Sequence, residues 1–138
     1  MIERKHRIED ALSAVRSAQE EGIVPGGGAA LLRAAQSLAV TTHSSEQALG
    51  ISIVSAACRE PLRQMAENSG QSADIIVEQV LGSKKNMGWN FITQKIDNMV
   101  ESGIIDPVKV TRTALQNAAS CAGTLITTNY GIIQTEVD

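Results

Sequence analysis

The sequence predicts a mainly α fold, a multi-helix bundle with one or two short β-strands. Apolar residues recur at three- and four-residue spacing along most of the chain, and cap or stop residues divide that pattern into separate helices. Aromatic residues make up only 2% of the chain (Trp89, Phe91 and Tyr130), too few for a sandwich built on aromatic cross-strand pairs. The 138 residues fit one domain. A chain of this length can bury roughly 68% of its unfolded surface, enough for a core without metal or disulfide.

Residues 3–20 read as an amphipathic helix, with Ile8, Ala11, Leu12, Val15 and Ala18 on one side. Gly22 supplies a stop. Pro25-Gly26-Gly27-Gly28 then forms a turn that opens a second helix to about Val40, carrying Leu31, Leu32, Ala35, Leu38 and Ala39. Residues 41–46 form a polar loop, where Ser44 and Gln47 have capping-box spacing. A third helix places Leu49, Ile53, Ala57, Pro61 and Met65 on one face. Pro61 cannot donate an interior helical hydrogen bond, so a kink or break is expected near Arg59-Glu60. Ser72 is the expected cap of a short helix through Val80 and Leu81, with Asp74 in its first turn.

Residues 82–88 read as a turn, and Trp89 to Phe91 as the best strand candidate of this half. A short helix is expected over residues 95–101, ending near Gly103. Asp106-Pro107 reads as a helix start, with an acceptor side chain at the N-cap and proline at the first helical position. The helix that follows carries Val110, Ala114, Leu115, Ala118, Ala122 and Leu125. The tail, residues 129–137, is β-prone, with Ile132 and Ile133 inside it. There is no internal repeat.

Composition excludes several classes of function. The net charge is −3, the isoelectric point is near 5.4, and no basic run exceeds Lys84-Lys85. Nucleic acid and anionic membrane surfaces are therefore not expected partners. Cys58 and Cys121 lie among small apolar residues without CxxC spacing, so both read as buried free thiols of a reducing compartment. No apolar run approaches about 18 residues and the N-terminus lacks a signal-like segment, which leads to the expectation of a cytoplasmic chain. His6 and His43 have no acidic or cysteine companions at ligand spacing, so no metal site is expected.

Few residues carry candidate chemistry. A glycine turn that opens a helix can present backbone N–H groups to phosphate. Here no strand is expected before the turn, the third glycine of a dinucleotide fingerprint is missing, and no Walker-type GxxxxGKS/T run occurs. The residues alone favour a plain interhelical turn. Asp10 lies about 200° around its helix from Ile8. It is either a solvated charge able to meet Arg7, or a carboxylate aimed into a cleft where it orients a water. Asn90 either reads a base edge or holds a turn. Asp106 has a sufficient structural role as a cap, worth about 1 kcal/mol.

Taken together, the ordered motifs are more specific than any one of them. Arg7-Ile-Glu-Asp-Ala-Leu12, Glu20-Glu-Gly-Ile-Val-Pro-Gly-Gly-Gly-Ala-Ala-Leu31 and Glu60-Pro-Leu-Arg-Gln64 precede Gly88-Trp-Asn90 and Gly103-Ile-Ile-Asp-Pro-Val-Lys-Val-Thr-Arg-Thr-Ala-Leu-Gln116. This series resembles the C-terminal part of group I chaperonins, the GroEL family, from about residue 3 to residue 128. The resemblance implies a descending helix at the junction of the intermediate and equatorial domains (residues 1–20), then the C-terminal half of the ATP-binding equatorial domain (residues 21–138). In that family the matching positions would act as follows. Asp10 positions the attacking water, and Gly27 gives a backbone contact to nucleotide. Asn90 and Phe91 contact adenine, Ile104 lines the base pocket, and Asp106 binds the ribose hydroxyls.

The implied cofactor is ATP or ADP with magnesium. The implied partners are the rest of the subunit and its ring neighbours. Unfolded clients and a co-chaperonin would be engaged only through an apical domain that these residues do not contain. A mitochondrial matrix or plastid location is implied for a eukaryotic source. Two departures stand out. Phe91-Ile92 replaces two residues that are usually small. The GDGTT-type phosphate loop and the magnesium-binding aspartate belong to the family's N-terminal half, so the chain alone is expected to lack significant ATPase activity. The alternative is an autonomous helical module that self-associates and no longer binds nucleotide.

Overall fold

The computed structural model describes residues 2–38 and 44–133. In chain order these form α1 (Ile2–Glu21), β1 (Ile23–Pro25), α2 (Ala29–Gln36), α3 (Ser45–Ala57), α4 (Glu60–Asn68), α5 (Ala73–Gly82), β2 (Met87–Asn90), β3 (Lys95–Asn98), β4 (Ile105–Pro107) and α6 (Val108–Ile126). The mainly α class holds. The strands number four rather than one or two, in antiparallel pairs β1–β4 and β2–β3.

Most breaks fall where local chemistry puts them. Gly22 stops α1 at φ 85°, its N–H donating to the Ala18 carbonyl at 2.8 Å. Ser44 caps α3, its hydroxyl accepting from the Gln47 N–H at 3.2 Å. The expected break at Arg59-Glu60 is present: α3 ends at Ala57 and α4 restarts with Pro61 in its first turn. Ser72 occupies the N-cap of α5 but makes no side-chain cap bond, and Asp74 is drawn instead into an ion pair with Arg63. The second helix ends at Gln36. Ser37 caps it and Leu38 lies beyond it, while Ala39 and Val40 of its expected course, with Thr41 to His43 of the polar loop, lie outside the described residues.

Three expectations are corrected. Residues 95–101 are not helical: β3 forms there and pairs back on β2, with Asn90 opposite Lys95 and Trp89 opposite Ile96. The reversal is built by the Asn90 side chain, whose Oδ1 accepts from the N–H groups of Ile92 (3.0 Å) and Thr93 (3.3 Å). Gln94 completes it at φ 55°, a left-handed conformation. Asp106-Pro107 does not cap α6 in the expected way. Both residues belong to β4, Pro107 takes the N-cap position, and α6 begins at Val108. Residues 129–133 form no strand and are exposed; residues 134–138 lie outside the described residues.

The core lies between α2, α4, α5 and the β2–β3 hairpin. Ala29, Leu32, Leu62, Ala66, Ala73, Ile76, Val77 and Val80 form one buried cluster, with Leu81, Trp89, Phe91 and Ile96 packed against it. Arg33 of α2 closes this block. Its guanidinium donates to the carbonyls of Val80 (3.1 Å), Lys84 (2.6 Å) and Met87 (2.8 Å) and to the Ser83 hydroxyl (3.0 Å), fastening the end of α5 to the start of β2. A cation at a helix C-terminus is electrostatically favourable there, although burial pushes the Arg33 pKa down.

Helices α1, α3 and α6 contain no buried residue. The stripe read on α1 faces outward, with Ile8, Leu12 and Val15 exposed. Of the two thiols, Cys58 is buried as expected and Cys121, on α6, is exposed.

Candidate functional site

A short strand precedes the glycine turn, which the sequence reading did not anticipate. β1 pairs with β4 in the register Val24 opposite Asp106 and Pro25 opposite Ile105. Beyond Pro25, the Gly26 N–H donates to the Ile104 carbonyl at 2.9 Å, which continues the connection into the turn. The pairing brings the glycine turn and Asp106 to one place, although 79 positions separate Gly27 from Asp106 in the sequence (106 − 27). They line a cleft of about 230 Å³ with Gly28, Pro61, Met65 and Thr111.

Glycine is required on two counts at Gly27 and Gly28. Their φ angles are 65° and 75°, in the left-handed region that L side chains rarely occupy. Space is also lacking: a Cβ on Gly27 would lie 2.9 Å from Met99 Cε, and one on Gly28 would lie 3.0 Å from both Leu62 Cβ and Met65 Cε. The turn is therefore wedged between the hairpin side and α4, with α2 starting directly after it.

The strand pairing that displaces Asp106 from the helix cap leaves its carboxylate without a hydrogen bond or ion pair among the described residues. It is half-buried at the cleft wall. The Thr111 hydroxyl, across the first turn of α6, is already donated to the carbonyls of Pro107 (3.0 Å) and Val108 (3.1 Å). Asp106 is thus the cleft's available charged acceptor.

The other candidates fall at different distances from this point. Ile104 adjoins it through the Gly26 hydrogen bond and is half-buried. The hairpin lies alongside, since a Cβ on Gly27 would also reach to 3.7 Å from the Trp89 carbonyl oxygen. Asn90, next in sequence, is 6% exposed. Its oxygen closes the turn and its amide donates to Asp97 Oδ2 at 3.3 Å. Phe91 leans on the core cluster, and Ile92 is 91% exposed. The bulk of Phe91-Ile92 is therefore divided between core and solvent. Asp10 is not brought to the cleft: it is exposed on α1, about 16 Å along the helix from Glu21. Arg7 pairs with Glu3 at 2.7 Å rather than with Asp10.

The end of α1 is held beside the cleft strands. Glu21 meets Arg112 of α6 at 2.6 Å, and Glu20 pairs with Lys109. The hydrogen bond from Arg112 holds the Glu21 pKa below the usual range. The Val108 N–H donates to the Gly22 carbonyl at 3.1 Å. Among the described residues no three His, Cys, Asp or Glu side chains cluster to hold a metal ion, and no helix is long and apolar enough to cross a membrane.

Sequence reading did not identify Met99, Met65 or Asp97. Met99 and Asp97 fell inside the helix expected over residues 95–101, and Met65 was read only as one position of an apolar face.

A helical domain whose glycine turn is joined by strand pairing to a distant Asp-Pro segment has the fold of a chaperonin equatorial domain. It is similar to the crystal structure of a group III chaperonin in the open state, with a TM-score of 0.71 and 26% identity over 84% of this chain and 25% of that one. The family model of the TCP-1/cpn60 chaperonins matches residues 1–136, and the chain belongs to that family. It spans about a quarter of the length of the group III chaperonin it matches.

Proposed function

We propose that the chain acts as the C-terminal segment of an ATP-dependent chaperonin subunit that assists protein folding, supplying the base and ribose side of the nucleotide site. The ordered motif series from Arg7 to Gln116 supports a group I subunit. The observation that carries the reading is the shared cleft of Gly27 and Asp106, with the Asp106 carboxylate unpartnered among the described residues. A carboxylate there accepts from vicinal hydroxyls, and glycine N–H groups at the start of α2 suit an anionic or carbonyl oxygen.

These residues fit the nucleoside end of ATP or ADP. They do not supply the magnesium and triphosphate end, which provides most of the charge stabilisation in phosphoryl transfer. Asp10 would position water only when the helix that carries it is brought over the cleft. Ile104 would line the base pocket. Asn90 and Phe91 would shape that pocket through backbone and packing, their side chains being committed to the turn and the core. The remaining partners of this reading are the rest of the subunit, its ring neighbours, and clients and co-chaperonin engaged through an apical domain.

Calorimetric titration with ADP, and with ATP plus magnesium, tests this. The expected result is binding that Asp106→Ala weakens, with phosphate release no higher than a protein-free blank. The absence of binding at millimolar nucleotide would refute the reading. Phosphate release abolished by Asp10→Ala would refute the expected lack of ATPase activity.

A second reading, a self-associating helical module that does not bind nucleotide, is favoured by the apolar side chains exposed on α1, α3 and α6 and at Tyr130, Ile132 and Ile133. Light scattering at high concentration tests it, and a monomer would refute it.

A further inference from the structure

Met99 borders the hairpin, the glycine turn and Ile104. It is fully buried, at 0% exposure, although it lies in the turn after β3. Its N–H donates to the Asn86 carbonyl at 3.0 Å, at the entrance to β2. Its carbonyl accepts from the Ile104 N–H at 2.8 Å, and the Ile104 carbonyl accepts in turn from Gly26 at 2.9 Å. One short hydrogen-bonded path therefore runs from the hairpin through Met99 to both the glycine turn and the strand that carries Asp106.

The side chain repeats the connection by packing. A Cβ on Gly27 would meet Met99 Cε at 2.9 Å. A Cβ on Gly88 would meet Met99 Cγ at 2.7 Å and Sδ at 3.0 Å. Neither glycine can gain a carbon without moving this thioether. Gly88 does not have a positive φ, so its need for glycine comes from crowding alone. An unbranched, polarizable chain suits a space bounded by two backbones.

We propose that Met99 is a positioning residue of the nucleotide site, a wedge between Gly88 and Gly27 that sets the glycine turn and Asp106 against the β2–β3 hairpin. The proposal rests on the nucleotide reading above and deepens it. Pressure applied to Met99 from the hairpin side is transmitted to Gly27, because close-packed interiors pass strain on rather than absorb it. Gly88→Ala is such a pressure, applied outside the cleft lining.

The test uses the full chain as wild type, Gly88→Ala, Met99→Ala and the double variant, with folding checked by far-ultraviolet circular dichroism. ADP affinity is measured by calorimetry. Amide exchange is followed at Gly26, Ile104 and Ala29, whose N–H groups bond within the turn region. We expect Gly88→Ala to weaken ADP binding about tenfold, a typical coupling between residues in contact. Met99→Ala in the same chain should recover most of that loss, leaving the 3.2 Å contact with Ala29 Cβ. Met99→Ala alone should speed exchange at Gly26 and Ile104 while leaving α5 unchanged.

An unaltered affinity in Gly88→Ala, or a double variant weaker than both singles, would overturn the proposal. If Gly88→Ala does not fold, Met99→Ala decides: unchanged exchange at Gly26 and Ile104 overturns the wedge. If the wild type binds no nucleotide, the functional reading fails by itself. The exchange data then judge the wedge independently.

Discussion

Two regions of this chain both read as helices with apolar residues at helical spacing, and they end differently. The block of α2, α4, α5 and the β2–β3 hairpin buries its apolar faces in one cluster. Helices α1, α3 and α6 bury no residue, although α1 and α6 are the two longest helices. An apolar stripe at helical spacing states that a partner surface is needed, not where in the chain that surface lies. In the first region the packed residues run from Ala29 to Ile96, 67 positions apart (96 − 29), and the stripe closes on itself. In the second, Ile8, Leu12, Val15 and Leu125 remain exposed, in a chain that spans a quarter of the length of the chaperonin it resembles.

The sharpest way to break that contrast is to truncate one leucine in each region. Leu62 is fully buried and lies against Gly28. Leu62→Ala should cost about 2–5 kcal/mol, from lost transfer energy plus an incompletely collapsed cavity. Leu12→Ala, on an exposed face, should stay within about 0.5 kcal/mol. Urea unfolding of both variants measures this, and equal costs would show that α1 is packed in solution. The two serine caps give a smaller version of the comparison. Ser44→Ala removes a real cap bond on α3 and should cost about 1 kcal/mol. Ser72→Ala removes none, and its effect should be small.

The thiols sharpen the comparison kinetically. Cys58 lies between α3 and α4, and burial pushes its thiol pKa up. Cys121 is exposed on α6. A thiol reagent should label Cys121 quickly and Cys58 only on unfolding, because the thiolate is the reactive form. A single fast phase for both would show that the core block opens readily.

Legibility followed the same division. Elements set by nearest neighbours were readable: the Gly22 stop, the Ser44 cap and the break before Pro61 all stand where local chemistry places them. Elements set by a distant partner were not. Residues 95–101 look helical in isolation, yet Lys95–Asn98 become a strand because Asn90 turns the chain back onto Trp89. Asp106-Pro107 has every local mark of a helix start and is recruited by β1, which lies more than 80 positions away by the spacing of Ile23 and Pro107 (107 − 23 = 84). The site shows the same rule. The ordered motifs singled out Gly27 and Asp106 as candidates, and only strand pairing put both on one cleft. Met99 went unread because its role depends on two glycines from different elements.

The smallest expected effect separates two carboxylates, one from each region. Glu21, at the end of α1, has its pKa lowered chiefly by the hydrogen bond from Arg112, with the charges of Arg112 and Lys109 adding to it. Asp97, on the hairpin, is lowered by the Ser102 hydroxyl first, then the Asn90 amide and the Asn98 N–H, all neutral donors. Both folded pKa values lie below the unfolded ones, about 4.3 for Glu and 3.9 for Asp. Each group therefore stabilises the fold above its unfolded pKa, and that contribution is lost as pH falls through the folded value. The origins predict different salt responses. At about 1 M salt, screening over roughly 3 Å weakens the ionic part of the Glu21 contribution and leaves the neutral hydrogen bonds of Asp97 largely intact. Thermal melts of wild type, Glu21→Gln and Asp97→Asn between about pH 2 and 6, in low and high salt, measure the difference. The Asp97→Asn deficit should persist in high salt and that of Glu21→Gln should shrink. Equal shrinkage would mean that the hairpin carboxylate is held by charge rather than by the turn that Asn90 builds.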